Sequence, residues 1–249
     1  MRRNKSKNQQ REKPSRRQKI ENDFEGGFFP ATPPKPRAKA EIRAKTEAQS
    51  HLLINIQSKD LTFTTGPAGT GKTYVTTACA IDALISGETD KVIFTRPMVA
   101  CDEEPWILPG EEDEKFAPWV APMLDVIEER AGKSFAEYLI KIGKVQFKPM
   151  MTMRGSSFKD SWVILDEAQN TTPEQMKMFL TRLGENSKMI VSGDIAQSDL
   201  KDGRGVMKQN GLADATARLR KNPNVGFAPF TIDDCVRHGL VKEILLAYN

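Results

Sequence analysis

"TFTTGPAGTGKTYVTTACAI" occupies residues 62–81. It passes from threonines and an aromatic through a tight glycine cluster to a lysine, then to a stripe of small apolar residues. A chain this bare of side chains, where a strand gives way to a helix, leaves room for something to lie against its backbone. Gly66, Pro67, Ala68, Gly69, Thr70, Gly71, Lys72 and Thr73 fit G-x-x-x-x-G-K-[ST]. In that spacing backbone N–H groups close around phosphate oxygens and the helix N-terminus adds the positive end of its dipole. Lys72 then reaches the β- and γ-phosphates as a point charge, and the Thr73 hydroxyl completes the shell of a magnesium ion. Tyr74 closes the nucleotide-binding stretch.

The flanks agree with this reading. Leu61, Thr62, Phe63, Thr64 and Thr65 read as a β-branched strand entering the loop, while Val75, Cys79 and Ala83 recur at four-residue spacing after it, the period of a helix packed on a sheet. Further strands are expected at KVIFT (91–95), VQF (145–147), WVIL (162–165), KMIVS (188–192) and VGFA (225–228). Such nearly continuous apolar runs belong to strands covered on both faces, hence to a parallel sheet. Thr172-Pro173-Glu174-Gln175 reads as a capping box with proline at the first helical position, and Thr231-Ile232-Asp233-Asp234 is expected to open the last helix in the same way. The fold class predicted is α/β, a parallel sheet flanked by helices.

The run WVIL ends in Asp166 and Glu167. Carboxylates at the carboxyl end of a buried strand lie where open α/β sheets bind ligands, so Asp166 can hold the magnesium through water and Glu167 can orient and deprotonate an attacking water. The strand at 188–192 runs into Gly193-Asp194-Ile195-Ala196-Gln197. Gln197 at the same edge can sense the γ-phosphate or the attacking water, with Asp194 positioning it.

Charge is unevenly spread. Residues 1–50 carry 14 Lys/Arg against 6 Asp/Glu, a net +8, so the whole-chain +4 leaves the remaining 199 residues at −4. Residues 1–40 hold Pro30, Pro33, Pro34 and Pro36 but few aliphatic side chains, and too little apolar surface to offset chain entropy predicts a disordered basic tail before a domain at 41–249. A solubilising arm and an electrostatic tether to nucleic-acid phosphates both fit that tail. Phe24, Phe28 and Phe29 beside Gly26-Gly27 can instead dock on a neighbouring subunit. No apolar stretch approaches the ~18–20 residues that span a bilayer, so no membrane and a cytoplasmic location are expected. Cys79, Cys101 and Cys235, with only two histidines in 249 residues, indicate neither a disulfide framework nor a zinc site.

These residues carry a resemblance. GPAGTGKTY (66–74), FTRPMV (94–99), LPG (108–110), MRG (153–155), LDEAQNTTPEQMKMFLTRLG (165–184), SGDIAQSDL (192–200) and DDCVRHGLV (233–241) make residues 50–249 similar to the PhoH family of ATPases, itself similar to the first RecA-like domain of superfamily 1 helicases. The resemblance implies a RecA-like P-loop NTPase, ATP hydrolysis at Lys72, Thr73, Asp166 and Glu167, and a nucleic-acid surface around Thr95-Arg96-Pro97. The chain departs from relatives at 100–107, and the seven acids in residues 102–114 suit a solvated acidic loop. Trp106 there can stack a base or cover core.

A helicase motor needs two RecA-like domains and one is evident, so the resemblance implies a homo-oligomer, with a hexameric ring as one form, and an arginine supplied in trans. Arg154, Arg204 and Arg237 are the candidates. Some relatives carry a fused nuclease domain; ribonuclease activity is not expected of this chain itself. The function expected is a magnesium-dependent ATPase coupled to RNA or single-stranded DNA. The alternative is a nucleotide-gated adaptor for an RNA endonuclease. A small-molecule kinase fits less well, because Asp166, Glu167 and Gln197 suit water as acceptor, and a GTPase less again, because no N-K-x-D occurs.

Overall fold

The computed structural model describes residues 34–37, 40–97, 112–153, 155, 157–200, 205, 209–237 and 239–247, with side chains left undescribed at 112–118 and 245. The expectations on the tail up to residue 33, on Phe24, Phe28 and Phe29, on Trp106 and residues 102–111, and on Arg154 and Arg204 lie outside the described residues. The elements below all belong to one compact unit, Lys35–Asn249.

Helix α1 (Glu47–Ser58) leads into β1 (Leu61–Thr65), α2 (Lys72–Ser86) and β2 (Lys91–Arg96). Helices α3 (Glu112–Ala131) and α4 (Lys133–Lys141) precede β3 (Val145–Pro149). Then come β4 (Ser161–Leu165), α5 (Pro173–Leu180), β5 (Lys188–Gly193), α6 (Gly211–Leu219), β6 (Val225–Pro229) and α7 (Gly239–Ala247). The six strands form one parallel sheet in the order β3-β2-β4-β5-β1-β6. The expected strands are all present.

Side chains alternate across the sheet with a period of two. Val92, Phe94, Ile164 and Ile190 pack with residues of α1, α2, α3 and α4, whereas Phe63, Val163, Val191 and Leu165 pack with α5 and α6. Both faces are therefore covered, which is why the strands read as unbroken apolar runs. Val75 and Ala83 are buried, with Cys79 packed beside them. Burial, and secondarily the charge of Asp82, pushes the Cys79 thiol up to about 12, so it is inert at neutral pH.

The Thr172–Gln175 capping box forms as expected: Gln175 N–H donates to Thr172 Oγ1 (3.3 Å) and Thr172 N–H to Gln175 Oε1 (2.9 Å). The second box differs in what it opens. Thr231 and Asp234 close a 3₁₀ turn, Ile232–Asp234, and the last helix starts later at Gly239. Cys235 is extended, and Val236 N–H donates to Gly69 O at 3.1 Å. That tie diverts the chain from helix to the glycine loop.

Candidate nucleotide site at the carboxyl ends of the strands

All six strands point the same way, so their carboxyl ends share one edge, and three of them deliver the site. The loop after β1 starts with Gly66, whose N–H donates to Gly193 O at the end of β5 (3.1 Å). A Cβ on Gly66 would stand 2.3 Å from Phe230 O, at φ +133°, so this position admits only glycine. Gly71 precedes α2 in a left-handed conformation, and no side chain caps the helix. The first N–H groups of a 15-residue helix thus face the cavity without side-chain acceptors, as an anion site requires.

Lys72 folds back over this loop, its Nζ donating to Gly66 O and Pro67 O at 2.7 Å each and to Thr70 Oγ1 at 3.4 Å. Burial lowers the Lys72 pKa, opposed by the charges of Asp194, Asp166 and Glu167. Thr70 turns inward, donating to Pro67 O (3.0 Å). Behind the loop lies a brace that sequence reading missed. Gln49 of α1, 4% exposed, donates from Nε2 to Thr70 O (3.0 Å) and accepts the Lys45 N–H at 2.8 Å. Its only sequence-level trace is a polar residue on the apolar face of α1.

From the other side come the acids. Thr73 Oγ1 donates to Asp166 Oδ2 at 3.4 Å. Burial, then the neighbouring charge of Glu167, raises the Asp166 pKa, opposed by the Glu167 backbone N–H and then the Ser192 hydroxyl, which favour the charged form. Glu167 has φ +51°, a left-handed conformation costing a non-glycine residue about 1–2 kcal/mol. Its carboxylate accepts a hydrogen bond from Gln169 Nε2 (2.6 Å), and Gln169 Oε1 accepts the Asp194 N–H (3.0 Å). Gly193 leaves room for this, since a Cβ there would meet Gln169 Oε1 at 2.4 Å.

One cavity of about 480 Å³ takes in Gly66, Ala68, Gly69, Gly71, Lys72, Thr73 and Tyr74, along with Asp166, Glu167, Asp194 and Gln197. Pro67 and Thr70 serve the loop's internal bonds. Tyr74 also donates from its hydroxyl to Glu129 Oε1 on α3 (3.2 Å). Arg96 reaches the cavity, while Thr95 is buried in the sheet. Arg237 also lines the cavity, lying against Gly69 of the phosphate loop. Hard oxygen donors on Thr73 and Asp166 suit magnesium, which takes one or two protein ligands and completes its shell with phosphate and water. Among the described residues no cluster of three His, Cys, Asp or Glu offers an all-protein metal cage.

Residues 41–249 match the family described as PhoH-like protein. The chain belongs to that family. Protein PhoH of Escherichia coli (strain K12) is 49% identical over 215 residues, covering 86% of this chain and 60% of that protein. The PhoH-like protein of Bacillus subtilis (strain 168) is 43% identical over 208 residues, covering 84% of this chain and 64% of that one. The chain thus spans about 60% of the length of these curated PhoH relatives. Among solved structures it is similar to the large terminase from a thermophilic bacteriophage, with a TM-score of 0.49 at 10% identity, covering 83% of this chain and 51% of that one. The PhoH-like domain is of the expected class, a parallel sheet flanked by helices with the P-loop after β1 and the paired acids after β4. No helix among its described residues is long and apolar enough to cross a membrane.

Proposed function

We propose that this chain is a magnesium-dependent ATPase working as a homo-oligomer on RNA or single-stranded DNA. The observation that carries the proposal is the convergence of Lys72, Thr73, Asp166, Glu167 and Gln197 on one cavity, with Thr73 Oγ1 only 3.4 Å from Asp166 Oδ2. Loop N–H groups bind the phosphates, and Lys72 exchanges its carbonyl partners for the β- and γ-phosphate oxygens. Thr73 and Asp166 would hold a magnesium ion, which when bound neutralises charge on those oxygens. Glu167 orients a water for in-line attack on the γ-phosphorus and takes its proton as the bond to the β–γ bridging oxygen breaks, leaving ADP and phosphate. Gln197 hydrogen-bonds the water or the γ-phosphate. The basic stretch in residues 1–40 supplies a salt-sensitive tether to nucleic-acid phosphates.

The test compares ATP turnover, with and without polynucleotide, in the parent, Lys72→Ala and Glu167→Gln. Turnover stimulated by polynucleotide, lost in both variants, with nucleotide binding kept in Glu167→Gln, is the expected result. Turnover indifferent to both substitutions overturns the site. ATP-dependent capture of an RNA endonuclease without polynucleotide stimulation points to the adaptor reading instead.

A further inference from the structure

Helices α5 and α6 pack side by side, and a groove of about 800 Å³ runs along them. Met176, Lys177 and Leu180 of α5 line one wall, and Ala215 and Leu219 of α6 the other. Each set recurs at helical spacing, so each wall is a single helix face. Leu61 and Val225 contribute from the sheet. They are the first residues of β1 and β6, so the groove opens at the amino edge of the sheet, opposite the nucleotide cavity. None of the buried polar atoms left unpaired among the described residues lines it. A small polar ligand would find no such group to orient it, whereas two apolar helix walls suit the apolar face of a third helix.

Helix α7 has such a face. Leu240, Glu243, Ile244 and Ala247 follow one another at spacings of three and four and therefore share one side of the helix. Leu240 is 56% and Ile244 48% exposed. Within its own chain α7 packs chiefly against the 3₁₀ turn Ile232–Asp234, and none of its residues lines the groove. It begins shortly after Val236, which is tied to Gly69 at the carboxyl edge. The groove lies at the other end of strands about 17 Å long, so the occupant belongs to a different copy. Charge matches as well as shape. Glu243 on α7 and Lys177 on the groove wall are both exposed, and neither has an ion-pair partner among the described residues.

We propose that α7 of one copy docks in the α5–α6 groove of the next, with Leu240 and Ile244 entering between Leu180 and Leu219 and Glu243 meeting Lys177. This rests on the homo-oligomer reading above and names the surfaces that join its subunits. The contact pairs two different surfaces, so each copy keeps a free groove at one end and a free helix at the other. Such head-to-tail contacts repeat from copy to copy, and close into a ring where the rotation allows. Because α7 follows directly on the segment tied to the phosphate loop, the same contact sets the neighbouring subunit against the nucleotide end of the sheet.

The test is sedimentation equilibrium of the full chain. The parent assembles beyond a dimer as concentration rises. Ile244→Asp spoils the helix, and Leu183→Asp, at a groove position 36% exposed, spoils the groove; each weakens association at least about ten-fold. An equimolar mixture of the two stops at a dimer, because one intact helix and one intact groove remain. Lys177→Glu and Glu243→Lys each weaken association about 3–10-fold, and the double variant returns to within about two-fold of the parent. These two reversals are on exposed side chains and keep the fold, so the rescue is readable even where an aspartate variant fails to fold. A mixture that stays monomeric, a double variant without rescue, or loss with Leu183→Asp but not Ile244→Asp overturns the pairing. An assembled parent indifferent to both aspartates overturns it too and leaves the homo-oligomer reading intact. A parent that is monomeric throughout overturns both.

Discussion

The carboxamide of Gln169 donates a 2.6 Å hydrogen bond to the Glu167 carboxylate. The other end of the same carboxamide accepts the Asp194 N–H, at the start of the segment that carries Gln197. One buried side chain therefore ties the acid assigned to water activation to the segment assigned to phosphate sensing. Ser198 Oγ, which donates to Gln169 O at 3.1 Å, adds a second tie.

Gln169→Ala frees Glu167 and leaves the Asp194 N–H without its partner. Turnover is expected to fall on the order of ten-fold, less than the ~10²–10⁴-fold that a positioned acid–base group contributes, because Glu167 itself is retained. Nucleotide affinity stays within about two-fold, because the phosphate loop is untouched. Steady-state turnover with a fluorescent-nucleotide titration separates the two effects. Equal losses in both would mean that Gln169 only holds the fold.

Asp166 costs the ligand-free protein stability. Its folded pKa is raised by burial and by Glu167, so at neutral pH the native state bears either a desolvated charge or a proton, neither of which the unfolded state carries. The cost is absent in acid, grows as pH climbs above the ordinary carboxylate range, and is complete once pH passes the folded pKa. Asp166→Asn removes it. The variant is expected to melt a few degrees above the parent, at ~2–4 °C per kcal/mol for a chain of this size, with a gap wider near pH 7.5 than near pH 5. ATP turnover is lost at the same time. Calorimetry at the two pH values checks the sign.

Arg237, one of the candidates for an arginine supplied across a subunit boundary, lies against the phosphate loop of its own chain: a Cβ at Gly69 would meet its Cδ at 3.0 Å. Arg237→Ala is expected to lower turnover about 10²–10³-fold, the scale of one lost donor to the transition-state charge. Mixing Arg237→Ala with Lys72→Ala subunits then restores no activity, since each chain needs both groups on its own loop. Rescue in the mixture would place the arginine's action across the boundary.

Gly66→Ala pits a methyl group against Phe230 O at 2.3 Å and requires alanine at φ +133°. Its expected cost is about 2–4 kcal/mol, with nucleotide binding lost as the loop shifts. Gly87→Ala is the matched control: φ is +79° but nothing lies within 4 Å, leaving only the backbone cost of about 1 kcal/mol. Denaturant titrations of the two variants isolate the steric part.

Local chemistry was legible in the sequence. Periodicity and apolar runs located all six strands, because a strand covered on both faces has no polar alternation to hide it. The loop spacing from Gly66 to Thr73 was readable because it is a short local motif, and the structure brings it to one cavity with Asp166, Glu167 and Gln197. Tertiary structure decided what depends on distant segments meeting. That β5 lies between β1 and β4 is a matter of strand order, and no local pattern encodes it. Gln49 braces Thr70 across 21 residues, and Gln169 meets Asp194 across 25. The Thr231–Asp234 box closed a 3₁₀ turn instead of opening a helix, because Val236 N–H found Gly69 O. Capping signals fix how a turn begins; whether a helix follows depends on what the next N–H groups can reach.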